Sequence, residues 1–228
     1  MMLQEVFIVG AAQDGSMVIE LENGSIGNVP VDEIGGNKKN NKAFNMIGGR
    51  TRVVEDGENY SRLKAMDIMQ KEVGTLKVGQ KINVTPIIIM EGFMVVEAFG
   101  HELYEKVKDI SLNYISDLND DFSLEDDIEV VVQSVNPLKI SIKDAAEEKI
   151  KEGLKLYKGG RDWLGEVVAN TDMGTFCRLP GNLQILCYPV KWARQPRKGD
   201  KVILEIKKID YEEGKMWGAI KKFVKKVK

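Results

Sequence analysis

The chain has 228 residues, with 33 Lys and Arg against 35 Asp and Glu, a formal net charge of −2, and 43% hydrophobic and 30% charged residues. That balance excludes a fibrous or disordered protein and fits one to three globular domains. The longest apolar run, 84–90, is far below the roughly 20 residues that cross a bilayer. The first residues, Met1–Val6, lack the basic-then-apolar order of a signal peptide. Two cysteines without a CxxC exclude a disulfide framework and a four-ligand zinc site, and the single His101 restricts triad or metal chemistry. A reduced, cytoplasmic protein with no membrane contact, metal or cofactor is the expectation.

Alternation with β-branched residues dominates the chain. In order it predicts strands at Glu5–Gly10, Ser16–Glu22, Lys81–Ile88, Phe93–Phe99, Ile128–Val135, Leu164–Ala169, Thr175–Leu179, Leu183–Cys187, Val202–Ile209 and Lys215–Ile220. Gly or Asn at 22–24, 180–182 and 212–214 marks turns between them. Helical spacing predicts two helices, both read as connectors. One covers 61–73, with Leu63, Met66, Met69 and Val73 on one face; the other covers 144–157, with Ala146, Ile150, Leu154 and Tyr157.

The strands recur. Residues 16–21 resemble 93–98 at an offset of 77, and 126–136 resemble 200–210 at an offset of 74. Gly174–Leu179 falls where the second strand of a third copy belongs. The predicted organisation is a first barrel at 1–62, a connector helix at 63–76 and an acidic second barrel at 77–143. A second connector at 144–159, a third barrel at 160–223 and a basic tail at 224–228 complete it. Units this small gain from a closed five-stranded barrel, which removes sheet edges. Charge follows the same division. Residues 189–228 carry 13 Lys and Arg against 5 Asp and Glu, a balance of +8, whereas 91–130 carry 12 Asp and Glu against 2 Lys, a balance of −10. A basic end can hold a polyanion whatever the average, and an acidic middle repels it.

The third copy carries a resemblance. Gly165-Glu166-Val167, Asp172-Met173-Gly174-Thr175-Phe176, Tyr188 and Gly199-Asp200 before a long strand are similar to the ribosomal protein S1-type RNA-binding domain. Met173 stands at that family's first aromatic, Phe176 at its second and Tyr188 at its usual His. The other copies resemble it more weakly, with Val18 and Val95 at the Phe176 place and Pro30 and Lys106 at the Tyr188 place. The resemblance implies a mainly β fold of three tandem five-stranded OB-fold barrels, S1-like, joined by short helices. It also implies single-stranded RNA as the partner, in translation or mRNA handling.

Side chains two apart on a strand share a face, so Phe176 and Arg178 point outward together while Thr175 and Cys177 point inward. Tyr188 extends the outward platform. Each base stacked on such a ring contributes about 1–3 kcal/mol, so an affinity of order micromolar, strongly salt-dependent, is expected. The repeat is an internal control, since the places of Arg178 in the first two copies hold Glu20 and Glu97. Lys191, Trp192 and Arg194 follow Tyr188, with Arg197 and Lys198 beyond, and Lys215 completes the cations. Trp192 is either a stacking group or a plug over the barrel end. Trp163 reads as core, and the side of Trp217 stays open. Lys38, Lys39 and Lys42 and the tail 221–228 are expected to meet phosphates.

Enzyme chemistry has no motif to stand on. Residues 10–15 and 48–50 lack the GxxxxGK[ST] pattern. The carboxylates Asp117, Asp120, Asp121, Glu125, Asp126, Asp127 and Glu129 do not follow calcium-loop spacing and read as a solvated loop. Cys177 and Cys187 read as buried thiols, and His101 as part of a turn. The expectation is a non-catalytic RNA binder acting through its C-terminal barrel. The first two barrels would be a spacer or a docking arm, the acidic second one meeting a basic ribosomal or polymerase surface. The alternatives are a protein-protein adaptor without RNA binding, or a subunit that feeds RNA to a nuclease or polymerase.

Overall fold

The structure, a computed structural model, describes residues 2–36, 42–188 and 195–225. The first copy contains β1 (Gln4–Ala11), β2 (Met17–Glu20), β3 (Ile26–Val29), β4 (Arg50–Asp56) and β5 (Asn59–Ser61), in sheet order β3-β2-β1-β4-β5. The short helix α1 (Lys42–Asn45) precedes β4, and α2 (Arg62–Gln70) follows β5. The second copy repeats the order as β10-β9-β6-β7-β8, from β6 (Lys81–Met90), β7 (Phe93–Ala98), β8 (His101–Lys106), β9 (Ile128–Val135) and β10 (Leu138–Ser141). After α3 (Ile142–Leu154) the third copy closes fully. Its strands β11 (Asp162–Thr171), β12 (Gly174–Leu179), β13 (Leu183–Cys187), β14 (Lys201–Asp210) and β15 (Lys215–Lys225) run β11-β12-β13-β15-β14, and a parallel β13–β15 pair completes the OB-like ring.

The three copies share a finer mark. Each first strand bulges at the same place against its second, between Ile8 and Gly10, between Pro86 and Ile88, and between Val167 and Ala169. A bulge bends and twists a strand, which a small barrel needs in order to curl. Beyond each bulge Val18, Val95 and Phe176 fall at one position, and Glu20, Glu97 and Arg178 at the next outward one. The equivalence expected from the repeat is therefore present in the pairing register.

The chain divides into two compact units, Met1–Ile110 with Asp117–Ile142, and Ser111–Ser116 with Lys143–Lys228. In the first, Val6, Ile8, Met17, Ile19 and Val53 form a buried cluster with Ile87 of β6. In the second, Val167, Cys177, Ile185, Cys187 and Leu204 fill the barrel, sealed by Ile150, Leu154 and Tyr157. Both thiols are buried as their alternation requires, and Cys187 together with burial pushes the Cys177 thiol up.

Several expectations are corrected. His101 opens β8, paired with Ala98, instead of sitting in a turn; the turn is Phe99–Gly100, with Phe99 at φ 48°. Residues 221–225 are not tail: β15 runs to Lys225, with Phe223 opposite Val202 and packed on the core, while 226–228 lie outside the described residues. On α2 the buried residues are Arg62, Ala65, Met66 and Met69, and Leu63 is exposed. Tyr157 is buried but follows the end of α3. Alternation does not mark β3, β4, β5, β8 and β10: β8 carries Glu105 on its inward side and Tyr104 on its outward side, β4 sets buried Val53 beside buried Val54, and β3, β5 and β10 are only four, three and four residues long. No helix among the described residues is long and apolar enough to cross a membrane.

Candidate nucleic-acid interface

On β12 Thr175, Cys177 and Leu179 are buried inward and Phe176 and Arg178 are half-buried outward. The turn into this strand requires glycine: Gly174 has φ +140°, and a Cβ there would lie 2.5 Å from the carbonyl oxygen of Cys187. The tight turn carries Met173, 63% exposed, to the same side as Phe176. Across the barrel surface Phe176 pairs with Leu186 and Arg178 with Gln184. A mainly apolar cleft of about 330 Å³ opens on this surface, lined by Tyr114, Met173, Phe176, Leu186, Lys215 and Trp217 among others. The ammonium of Lys208 lies 4.9 Å from the centre of the Trp217 ring, a cation–π contact.

The cations of this barrel are partly compensated. Lys215 pairs with Glu213 at 3.2 Å, Lys221 with Asp162 at 2.6 Å, Lys207 with Glu205 at 2.8 Å and Lys201 with Glu166 at 3.4 Å. Exposed pairs of this kind contribute about 0–1 kcal/mol and can exchange their carboxylate for a phosphate.

The structure thus brings Phe176 and Lys215 together in one cleft. Arg178 shares the face one step along the strand but does not line the cleft, and Tyr188, 58% exposed at the end of β13, does not line it either. Neither Phe176 nor Tyr188 joins the barrel interior. Lys191, Trp192 and Arg194 lie outside the described residues. Trp163 stacks at a tilt on Tyr157, ring centres 4.5 Å apart, at the core margin. Three residues join the face beyond those the sequence points to. Trp217 shares the outward side of β15 with Lys215, which strict alternation from Met216 inward could have shown. Gln184 is hidden because an amide on a strand announces nothing. Tyr114 is hidden because 111–116 has no period.

Tyr114 is the least expected. Its ring stacks on Phe176 with centres 4.6 Å apart and planes 12° from parallel. Its backbone N–H donates to Gln184 Oε1 at 2.8 Å, and Gln184 Nε2 donates back to its carbonyl at 3.0 Å. Asn113 Nδ2 donates to the Asn182 carbonyl at 2.8 Å.

The matching face of the second barrel is closed by different chemistry. Glu97 and Glu102, at the places of Arg178 and Gln184, both receive the guanidinium of Arg62, which is fully buried. Arg62 Nη1 reaches Glu102 at 2.6 Å and the Ile34 carbonyl at 2.8 Å, and Nε donates to Thr51 Oγ1 at 2.8 Å. Val95, at the Phe176 place, packs on the first copy's core. Lys42 also binds Glu102, with its side chain 11% exposed, so it is not available to phosphates; burial and then the charge of Arg62 push its pKa down. Lys38 and Lys39 lie outside the described residues. Further along this barrel Phe93 stacks on Tyr104 at 4.7 Å, a ring pair that the sequence does not announce.

The acidic stretch is spent on local turns: Asp117 accepts from the Asn119 N–H at 2.9 Å and Asp126 from the Ser123 N–H at 2.8 Å. Among the described residues no three His, Cys, Asp or Glu side chains are grouped to hold a metal ion.

No protein family and no curated protein matches the chain by sequence. Among solved structures it is similar to a multidomain protein with nucleic acid binding domains from Streptococcus pneumoniae TIGR4. That likeness has 12% identity and a TM-score of 0.26, over 96% of this chain and 73% of that one. It is also similar to Drosophila Unr CSD456, with 12% identity and a TM-score of 0.22, over 97% of each chain. Likenesses this distant carry no argument about site or activity.

Proposed function

We propose that the chain is a non-catalytic single-stranded RNA-binding protein whose third barrel, of the OB and S1 type, takes unpaired bases in the Phe176–Trp217 cleft. The observation that carries this reading is the pairing of two half-buried rings in one apolar cleft with Lys215 lining it and Lys208 over Trp217. Unpaired nucleotides expose base faces for stacking and phosphates for cations, whereas a duplex hides the faces. Sequence discrimination is weak, since any base has a π-face.

The first two barrels act as a spacer or docking arm. The support is that the second barrel's equivalent face is filled by Arg62 and by the first copy's core, so it offers no base platform there. Its acidic surface suits a basic partner such as a ribosomal or polymerase surface, and translation or mRNA handling in the cytoplasm is the process this reading favours. Fluorescence anisotropy with a labelled single strand of about ten nucleotides, at about 50 and 200 mM salt, tests the reading. Salt-sensitive binding that Phe176→Ala and Trp217→Ala weaken is expected. Equal affinity for duplex RNA, or indifference to both substitutions, overturns it. Absence of binding at low salt favours the adaptor.

A further inference from the structure

We propose that Ser111–Ser116 is an internal ligand of the third barrel's RNA face, with Tyr114 held where a nucleobase stacks on Phe176, and that RNA binds by displacing it. The proposal rests on the RNA-binding reading above. Its basis is how closely the contacts of Tyr114 follow those of a bound nucleotide. A flat ring lies parallel on Phe176 at 4.6 Å, the offset-stacked separation that a base also takes on an aromatic side chain. Beside it the Gln184 amide makes a two-point bond, accepting from an N–H at 2.8 Å and donating to a carbonyl at 3.0 Å. That donor–acceptor fork is the one Gln uses on the edge of a base. Tyr114 lines the same cleft as Lys215 and Trp217, so a strand cannot cover Phe176 while Tyr114 remains.

The attachment suits release. Tyr114 is half-buried, and the hydrogen bonds by which Asn113 and Tyr114 hold the barrel join neutral groups. A competitor of this kind lowers apparent affinity by the fraction of molecules in which it is seated. Removing the ring should therefore tighten RNA binding, whereas removing its platform should weaken it.

The test compares wild type, Tyr114→Ala, Tyr114→Phe and Phe176→Ala as full chains in the same anisotropy assay. Tyr114→Ala is expected to bind the single strand about tenfold more tightly, Tyr114→Phe to match wild type and Phe176→Ala to lose affinity. Equal or weaker binding by Tyr114→Ala, with Phe176→Ala still impaired, overturns the internal ligand and leaves the RNA reading intact. Absence of binding by every variant overturns both. Amide hydrogen exchange on the wild type needs no variant: the Tyr114 N–H should lose protection when RNA is added, and unchanged protection at saturation overturns the proposal.

Discussion

One barrel face is used twice in this chain, with opposite chemistry. In the second barrel Glu97 and Glu102 close over the buried guanidinium of Arg62, and Val95 packs on the first copy's core. In the third, Phe176, Arg178 and Gln184 occupy the same register positions, and a stacked Tyr114 and neutral hydrogen bonds cover the face. Breaking a buried, paired charge costs about 3–5 kcal/mol, because a desolvated carboxylate loses its countercharge; here Glu97 would lose Arg62 while Glu102 would keep Lys42. A neutral hydrogen bond contributes about 0.5–1.5 kcal/mol and a ring pair a similar amount. Repeats that share a fold thus diverge into a fixed joint and an exchangeable surface by changing three outward side chains.

The sharpest way to break the comparison is Arg62→Ala. It should lower stability by about 3–5 kcal/mol in urea unfolding, while RNA binding under native conditions stays near wild type. A loss below about 1 kcal/mol would show that the joint is not held by that charge. Phe176→Ala should have the reverse profile, with RNA affinity falling by about 1–3 kcal/mol. Its unfolding midpoint should move little, because this ring lies outside the barrel core. Lys215→Ala should weaken binding to all single strands alike and reduce the slope of log K against log salt by about 0.7; an unchanged slope would remove Lys215 from the phosphate contacts.

A last test concerns the inward neighbour of this face. Glu105 on β8 pairs with Met94, the place that Cys187 holds opposite Thr175 in the third barrel. Burial, with a smaller contribution from Asp109, raises the Glu105 pKa from 4.5 to about 7. The folded state therefore keeps a proton that the unfolded chain releases near 4.5, so wild type should lose stability as pH rises from 4.5 to about 7. Glu105→Gln should flatten that part of the pH profile, and superimposable profiles would show that Glu105 does not titrate differently on folding.

How much of this is legible in the sequence follows from where each signal resides. The inward apolar positions repeat at fixed offsets, so the copies, their β character and the outward placing of Phe176 and Arg178 are readable. A pairing register constrains every second side chain. Strands whose two faces do not differ in polarity, such as β8 with Glu105 inward and Tyr104 outward, lack the contrast on which alternation depends. Trp217 is marked in the sequence, and its outward side follows once Met216 is taken as inward.

Local periodicity and composition are enough to specify three β repeats, a ring and cation confined to the last, and a charge gradient along the chain. The folded chain alone shows that Arg62 neutralises Glu97 and Glu102 and that Tyr114 lies on Phe176. Those pairs are 35, 40 and 62 residues apart, and a contact between distant, non-periodic residues is set by how the chain closes on itself.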